Sequence, residues 1–377
     1  LKQMSDPTLI SFAGGNPAPE SFPIDEIRKF SEELLQNEPV SALQYSITEG
    51  VALLRVSAAQ FANRHFTVKK AEDDIIITSG SQQIIDFMAR CLCNEGDVVA
   101  CEELAFLGAL NAFKSYGATL CGVGNDKTDS IDLIKLEKVF SAPIKPKFFY
   151  TIPNFQNPTG LTMPLEKRKQ VYALAVKYGV PILEDDPYGA LRYYGEEIAP
   201  IKSFDTEGAV VYAGSFSKIM CPGMRVAFAI GAKELLAKMV IAKQCCDVHT
   251  NVWAQKVCNE ILTKTDMTAH LSHLQNIYKE KCDLMVKEMQ KYFSDKVKYT
   301  RPEGGMFIWV TLPENADVNA FVKKALEQKV AVVPGAAFLA DDTQPCQSFR
   351  MNFSTESKEN IVKGIKILGK LTYDFCK

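Results

Sequence analysis

Residues 73–101 read DDIIITSGSQQIIDFMARCLCNEGDVVAC, and this stretch decides the fold. A short apolar run, Ile75–Thr78, gives way to the small polar turn Ser79-Gly80-Ser81-Gln82. A longer amphipathic run follows, and then a second apolar run, Asp97–Cys101. Short apolar strands separated by helix-length segments are the signature of βαβ units and a parallel sheet. The alternation continues outward. Thr119–Val123, Phe148–Thr151, Pro181–Glu184, Ala209–Ala213 and Val226–Ile230 are further strand candidates, and Leu165–Tyr178 is a crossover helix before Pro181. These runs are too apolar to leave one face in water, so helices are expected on both sides of the sheet. The fold class is α/β, with a large domain built on a mostly parallel, seven-stranded sheet.

Beyond that sheet, a helical region over Lys233–Phe293 leads to a smaller α+β set. Its expected elements are the strand Gly305–Thr311, the helix Val318–Gln328, the strands Ala331–Val333 and Ser348–Phe353, and a last helix from Lys358. The N-terminal piece carries a Gly14-Gly15-Asn16-Pro17 turn and a helix over Ile24–Leu35. It has no sheet of its own and is expected against the smaller domain. The expected divisions are residues 1–40 for this segment, 41–250 for the large domain, and 251–377 for the small domain with its connecting helix.

Composition narrows the function classes. With 47% hydrophobic and 23% charged residues in 377, the chain can bury a large core. A net charge of -2 supplies no field for a polyanion, which argues against nucleic acid as a partner. The eleven cysteines are odd in number and scattered, and Cys91 with Cys93 and Cys245 with Cys246 are too close to suggest a disulfide framework. They read as reduced thiols of a cytoplasmic protein. His270 and His273 lack nearby cysteines, so no metal site is expected. No apolar run reaches the ~18 residues of a membrane span, and no signal peptide is visible. The chain begins at Leu1 and not at a methionine, which leaves room for an upstream segment.

In an open α/β sheet, ligands gather beyond the carboxyl ends of the strands, so the residues after each strand are the ones to read. Ser79-Gly80-Ser81-Gln82 opens a helix and suits an anion such as phosphate, or else is an ordinary capped strand-to-helix turn. Pro153–Gly160 is a rigid loop rich in amide side chains, or an ordinary Pro/Asn turn. Glu184-Asp185-Asp186 places three acids at the end of an apolar strand, where at least one must be partly buried and needs a cationic partner. The last stretch, Ser215–Arg225, seats a lysine, Lys218, between two serines and apolar residues, with Arg225 seven residues on. A phosphate cup, a carboxylate, a phenol, an amide and a lysine at one sheet edge match the needs of pyridoxal 5'-phosphate.

In nine segments the chain resembles the fold-type I, class I/II aminotransferases. The resemblance is closest to the branch that contains 2-aminoadipate and kynurenine aminotransferases and the effector domains of MocR-type regulators. The segments run in the family's order: SFAGGNPAPESFP (11–23), LQYSITEG (43–50), TSGSQQ (78–83), NFQNPTG (154–160), EDDPYG (184–189), SFSKIMCPGMR (215–225), PEGGMFIW (302–309), VPGAAF (333–338) and FRMNFS (349–354). The resemblance implies an aspartate aminotransferase-like fold and ping-pong transfer of an amino group from an L-amino acid to a 2-oxo acid, with 2-oxoglutarate the expected acceptor. Aromatic, branched-chain and 2-aminoadipate-type donors all stay open.

It also implies roles for individual residues. Lys218 would hold the cofactor covalently and move the substrate α-proton. Asp185 would pair with the ring nitrogen, Asp186 and Glu184 being the alternatives. Tyr188 and Asn157 would donate to the ring oxygen. Ser81, Gln82, Ser215, Ser217 and Arg225 resemble the phosphate set. Phe106 stands where relatives place a ring-stacking tyrosine, keeping the π-face without the hydroxyl. Arg350 would clamp the substrate α-carboxylate through two parallel hydrogen bonds, beside Asn157. Gly15 would line the substrate pocket where only a missing side chain leaves room. Tyr45 would reach the active site of the neighbouring subunit in a homodimer. Two other uses of the same residues remain: a regulator domain that binds the cofactor without turnover, although no winged-helix module is visible, and a β-eliminating lyase.

Overall fold

The computed structural model describes residues 8–376; residues 1–7 of the expected N-terminal segment and residue 377 of the expected small domain lie outside the described residues. The chain opens with β1 (Ile10–Ser11), α1 (Ile24–Asn37), α2 (Pro39–Leu43) and α3 (Ala52–Ala62). The alternating region follows: β2 (Asp73–Thr78), α4 (Ser81–Leu92), β3 (Val98–Glu102), α5 (Leu107–Ser115), β4 (Thr119–Val123), α6 (Leu133–Phe140), β5 (Phe149–Thr151), α7 (Leu165–Tyr178), β6 (Ile182–Asp186), β7 (Val210–Ser215) and β8 (Ala227–Ala232). Three helices come next, α8 (Lys233–Cys246), α9 (Val252–Lys264) and α10 (Met267–Tyr292). The chain closes with β9 (Lys298–Tyr299), β10 (Phe307–Thr311), α11 (Val318–Glu327), β11 (Val330–Ala331), β12 (Val333–Pro334), β13 (Ser348–Asn352) and α12 (Lys358–Phe375).

Strands β2 to β8 form one sheet in the order β2-β8-β7-β6-β5-β3-β4. All its pairings are parallel except those of β8 with β2 and with β7. The reason for the double burial expected from sequence is visible residue by residue. Successive side chains of a strand point to opposite faces. Val99, Tyr150, Leu183 and Val211 join the core under α4 and α8, while Ala100, Phe149, Ile182 and Val210 join the core under α6 and α7. Neither face of these strands reaches water, so neither alternates with polar residues. All seven expected strands are present, with ends displaced by no more than two residues.

The smaller unit is a four-stranded antiparallel sheet in the order β12-β13-β10-β9, with α10 and α12 packed against each other. Three expectations are corrected here. The helical region 233–293 is three helices, because Asn251 caps α9 and Asp266 caps α10 through their side chains, and Val248, in the break before α9, has φ 62°. The strand expected over 331–333 divides between two sheets as β11 and β12. The N-terminal segment does own a strand: β1 pairs in parallel with β11, and the Phe12 carbonyl accepts from the Asn352 amide at 2.7 Å. Farther along the segment, α1 packs on α9, which in turn packs on α3.

At the end of the sheet away from the strand carboxyl ends, Lys202 is 1% exposed and donates to Asp73 Oδ1 and Asp205 Oδ2, each at 2.8 Å. Burial pushes Asp205 up, but Lys202 and the amides of Ala209 and Val210 outweigh it and leave the carboxyl below its ordinary value. A group depressed in the folded state contributes stability above its unfolded pKa and loses it as pH falls through the folded one. Lys202→Ala should therefore cost about 3–5 kcal/mol at pH 7, because two carboxylates stay buried without their cation. Urea denaturation should also show a flatter acid limb in the variant than in the wild type. A loss under about 1 kcal/mol would show that the triad does not bear on stability.

Candidate active site

Strand β7 ends at Ser215, and the chain then turns to enter β8 in the opposite direction. Phe216, Ile219 and Met220 are buried and anchor that turn, which leaves Lys218 half-buried above the sheet edge. Its Nζ donates to the Gly15 carbonyl at 2.8 Å. Burial, together with the charges of Arg225 and Arg350, lowers the amine to about 8, and Asp185 only partly opposes this. About a tenth of the amine is therefore neutral and nucleophilic at pH 7, against well under a hundredth for a solvated lysine.

The three acids of β6 separate according to the strand's two faces. Glu184 points to the α7 side and accepts the amides of Ile201 and Lys202, each at 2.8 Å. Asp186 accepts from Asn154 Nδ2, the Gly189 amide and the Tyr212 hydroxyl, each at 2.9 Å. Asp185 alone lines the cleft with Lys218. Its Oδ2 accepts from the Tyr150 hydroxyl at 2.9 Å, and its Oδ1 is buried without a partner. Burial pushes this carboxyl up to about 7. An unpartnered buried oxygen is costly, so the site is built for a donor from outside the chain.

The loop after β5 is fixed from beneath by Arg168, a fully buried arginine of α7. Its Nε donates to the Met163 carbonyl at 2.9 Å, its Nη1 to the carbonyls of Ile198 and Ala199, and its Nη2 to the Pro153 carbonyl and Asn154 Oδ1 at 3.0 and 2.6 Å. At the tip of that loop Asn157 accepts, through Oδ1, from Arg350 Nη1 at 2.7 Å, and Tyr188 lies within hydrogen-bonding reach of the same side chain. Arg350 Nη2 donates to the Ala13 carbonyl at 2.6 Å, its Nε is buried without a partner, and its guanidinium lies 4.3 and 4.9 Å from the Phe307 and Phe338 rings. Burial lowers Arg350 to about 10, so it remains a cation. With both Nη atoms already in use, a carboxylate would share this fork with Asn157 and Ala13.

The turn Ser79-Gly80-Ser81-Gln82 starts α4, whose first-turn amides and dipole favour an anion. Gly80 has φ +86°, a conformation that favours glycine, and a Cβ there would push the Arg225 guanidinium from its place. Arg225 Nη2 donates to the Ser79 carbonyl at 3.1 Å. Behind the turn, buried Lys243 donates to Gln83 Oε1 and Asp247, while Asp247 Oδ2 accepts from the Ser79 hydroxyl at 2.6 Å. Gln82 lines the cleft, but its Nε2 is already bonded to the Gly108 carbonyl at 2.8 Å.

These elements enclose a cleft of about 730 Å³, within the range of small-molecule sites. Besides Lys218, Asp185, Gln82, Asn157 and Arg350, it is lined by Ser81, Ser215, Ser217, Arg225, Phe106, Tyr188 and Gly15. Every expected site residue is there except Tyr45, which is 82% exposed and lies edge-on to the His249 ring at 5.7 Å. At Gly15 a Cβ would meet the Phe307 ring at 3.5 Å, an ordinary contact, and the Gly15 carbonyl is the acceptor for Lys218. Sequence reasoning missed Tyr150 and Arg168, and also the apolar wall of Leu9, Val322, Leu326, Val333 and Phe338.

The family described as aminotransferase class I and II matches residues 7–368. Among characterised relatives, the chain is 39% identical over 373 residues to aromatic-amino-acid aminotransferase 1 of Thermococcus litoralis, covering 98% of this chain and 89% of that one. It superposes on Pyrococcus horikoshii kynurenine aminotransferase, solved in complex with PMP, with KYN as substrates and KYA as products (TM-score 0.95, 37% identity, 99% of this chain and 93% of that chain). It also superposes on LysN, the alpha-aminoadipate aminotransferase of Thermus thermophilus, complexed with N-(5'-phosphopyridoxyl)-L-leucine (TM-score 0.91, 35% identity, 99% and 94%).

The lowered pKa of Lys218 should be readable in the purified protein without ligand. Trace labelling with acetic anhydride, followed by peptide mass mapping, should show Lys218 reactivity rising with a midpoint near pH 8. A solvated lysine titrates near 10.4. A midpoint at that ordinary value would mean that the cleft does not favour the neutral amine.

Proposed function

The chain belongs to the aminotransferase class I and II family, and on that premise we propose that the Lys218 cleft transfers an amino group from an L-amino acid to a 2-oxo acid with pyridoxal 5'-phosphate bound at Lys218. The observation that carries this reading is that one cleft brings together the Lys218 amine, the unpartnered Oδ1 of Asp185, and the α4 N-terminus under Arg225. The three fit the three chemically distinct parts of that cofactor: its aldehyde, its ring nitrogen and its phosphate. When bound, pyridoxal phosphate supplies a reactive carbonyl and a ring that accepts the electron pair released at the substrate Cα.

The protein's part is positioning and proton transfer. Lys218 Nζ would hold the cofactor and, as a neutral amine, would take the proton from the substrate Cα and return it on the product side. Asp185 Oδ1 keeps a proton on the ring nitrogen. Asn157 Nδ2 and the Tyr188 hydroxyl would donate to the ring oxygen, and Phe106 would offer an apolar face to the ring. Ser81, Gln82, Ser215 and Ser217 surround the phosphate, with Arg225 as its permanent charge. Arg350 binds the α-carboxylate common to amino acid and 2-oxo acid, so a single clamp serves both half-reactions.

The donor is an amino acid with an uncharged, apolar or aromatic side chain. Among the described residues, the cations lining the cleft are Lys218, Arg225 and Arg350, and each has a role above. Leu9, Val322, Leu326 and Val333 leave an apolar wall for the rest of the donor. The acceptor is a 2-oxo acid, 2-oxoglutarate being the first to test. All eleven cysteines are free, which supports a reducing, cytoplasmic setting. No described helix is long and apolar enough to cross a membrane.

The active unit is a homodimer. Between residues 40 and 56, Val40, Leu43, Tyr45, Ile47, Leu53 and Val56 are 53–82% exposed, an apolar surface that suits a second copy of the chain. Tyr45 does not line the cleft of its own chain, which fits a residue that serves the neighbouring one.

Purified protein with pyridoxal phosphate and 2-oxoglutarate should yield glutamate from phenylalanine, kynurenine or leucine faster than from 2-aminoadipate, with no ammonia and pyruvate from cysteine conjugates. Lys218→Ala should lose nearly all turnover and show no borohydride-reducible link to the cofactor. A variant that keeps that link removes Lys218 from its role.

Mixing decides the role of Tyr45. Lys218→Ala and Tyr45→Ala chains, each first shown to be nearly inactive alone, should regain activity when refolded together, because a mixed dimer then has one site free of both defects. A mixture that stays inactive would place Tyr45 at its own site or at none.

A further inference from the structure

Tyr150 is fully buried in β5 and does not line the cleft. Its ring stands edge-on to Phe113, with centroids 5.5 Å apart and planes at 73°. Its hydroxyl donates to Asp185 Oδ2 at 2.9 Å. The sheet itself produces this pair. Strands β5 and β6 run parallel with Tyr150 opposite Leu183, and the two-residue period places Tyr150, Leu183 and Asp185 on the same face. Tyr150 is thus the diagonal neighbour of Asp185 on the adjacent strand, within reach of a long side chain. Burial and the Asp185 charge raise its pKa well above the ordinary tyrosine value, so the phenol stays protonated and can only donate.

We propose that Tyr150 is a positioning residue for transamination: by tying down Asp185 Oδ2 it leaves Oδ1 as the oxygen presented to the ring nitrogen, and it keeps the proton of that pair on the nitrogen. This rests on the cofactor reading above. A buried carboxylate is unstable as an anion, and a phenol donor on one oxygen offsets part of that cost without neutralising the charge. Without the donor the carboxylate becomes the stronger base, and the proton shared with the ring nitrogen moves toward Asp185. The ring then draws electrons less strongly from the substrate Cα. The carboxylate is also freed to rotate about its terminal torsion, which is broad and roughly two-fold. The other ionised groups acting on Asp185 are Asp186, which pushes its pKa up, and Lys218, which pulls it down. Neither is bonded to it.

The test is Tyr150→Phe, which keeps the ring and removes the donor. In holoenzyme loaded with ring-nitrogen-15 pyridoxal phosphate, wild type should give a pyridinium-type signal, and the variant a signal moved toward free pyridine. The kcat should fall about tenfold or more, as expected for losing a hydrogen bond to a charged group. The KM for the amino acid should change by less than about twofold, since Arg350 is untouched. In an Asp185→Asn background the same substitution should have almost no further effect, because its partner is already gone. Phe113→Leu loosens the same ring packing but keeps the hydroxyl, and should leave the nitrogen signal in place. An unmoved signal in Tyr150→Phe, or an equal movement in Phe113→Leu, overturns the proposal and leaves the cofactor reading intact. Wild-type protein that takes up no pyridoxal phosphate overturns the reading beneath it and this proposal with it.

Discussion

The antiparallel pairing of β8 is the constraint on which the site depends. Six strands of the large sheet point their carboxyl ends toward one edge, which is where an α/β sheet collects ligand groups. A seventh parallel strand would have carried the chain to the far edge before it entered the next strand. With β8 reversed, the chain leaves β7 at Ser215 and enters β8 at Ala227 on the same edge, with Ser215 and Ala227 directly paired. Ser215, Ser217, Lys218, Pro222 and Arg225 of the connection between them all line the cleft. The connection carries Lys218 at one end and Arg225 at the other, so the depressed amine and the guanidinium beside the start of α4 are placed by a single hydrogen-bonded pair of strands. Arg225 adopts φ 54° to make that entry, an uncommon conformation for a side-chain-bearing residue and one that recurs at functional sites.

Around this edge the molecule buries charges and resolves them in two ways. Away from the cleft, Arg168 distributes its N–H groups among carbonyls and one amide, and Lys202 lies between two carboxylates. At the cleft the pairing is incomplete. Asp185 Oδ1 and Arg350 Nε are buried without partners, and Lys218 is depressed to about 8. Ser130, Thr151, Arg192 and Thr265 also keep a buried polar atom without a partner elsewhere. Among the described residues, only at the cleft do an unpartnered carboxylate oxygen and an unpartnered guanidinium N–H face one cavity with a depressed lysine, where a ligand can supply the missing atoms.

The residues legible in the sequence were those that interrupt an apolar strand at its carboxyl end: Ser81, Asn157, Asp185 and Lys218 each follow a run that must be buried, so their polarity had to be used locally. Period-two alternation left Glu184, Asp185 and Asp186 unresolved until the register with β5 and β7 assigned each to a face. Tyr150 and Arg168 stayed hidden for a different reason. An aromatic inside FYTIP reads as core packing, and a basic residue inside a helix reads as a solvated face. What each bonds to lies 35 and 14 residues away, in segments brought close only by folding. The two-residue strands β1, β11 and β12 are too short to leave a periodic signal. The breaks between α8, α9 and α10 were written in Asn251 and Asp266, whose capping value was outweighed by the continuous helical character on either side.

The N-terminal segment holds two cations of the cleft by its backbone. The Gly15 carbonyl accepts from Lys218, the Ala13 carbonyl accepts from Arg350, and the Asn16 carbonyl accepts from Ser354 beside the small-domain sheet. A ligand reaching either group therefore meets neither a bare amine nor a bare guanidinium. A carbonyl compound must take Lys218 from Gly15, and a carboxylate must share Arg350 with Ala13. Binding here is an exchange of partners, and its free energy is the difference between two sets of hydrogen bonds and not the sum of one. Because one short run of backbone supplies both of the displaced acceptors, occupancy at the amine and occupancy at the guanidinium are thermodynamically linked through it.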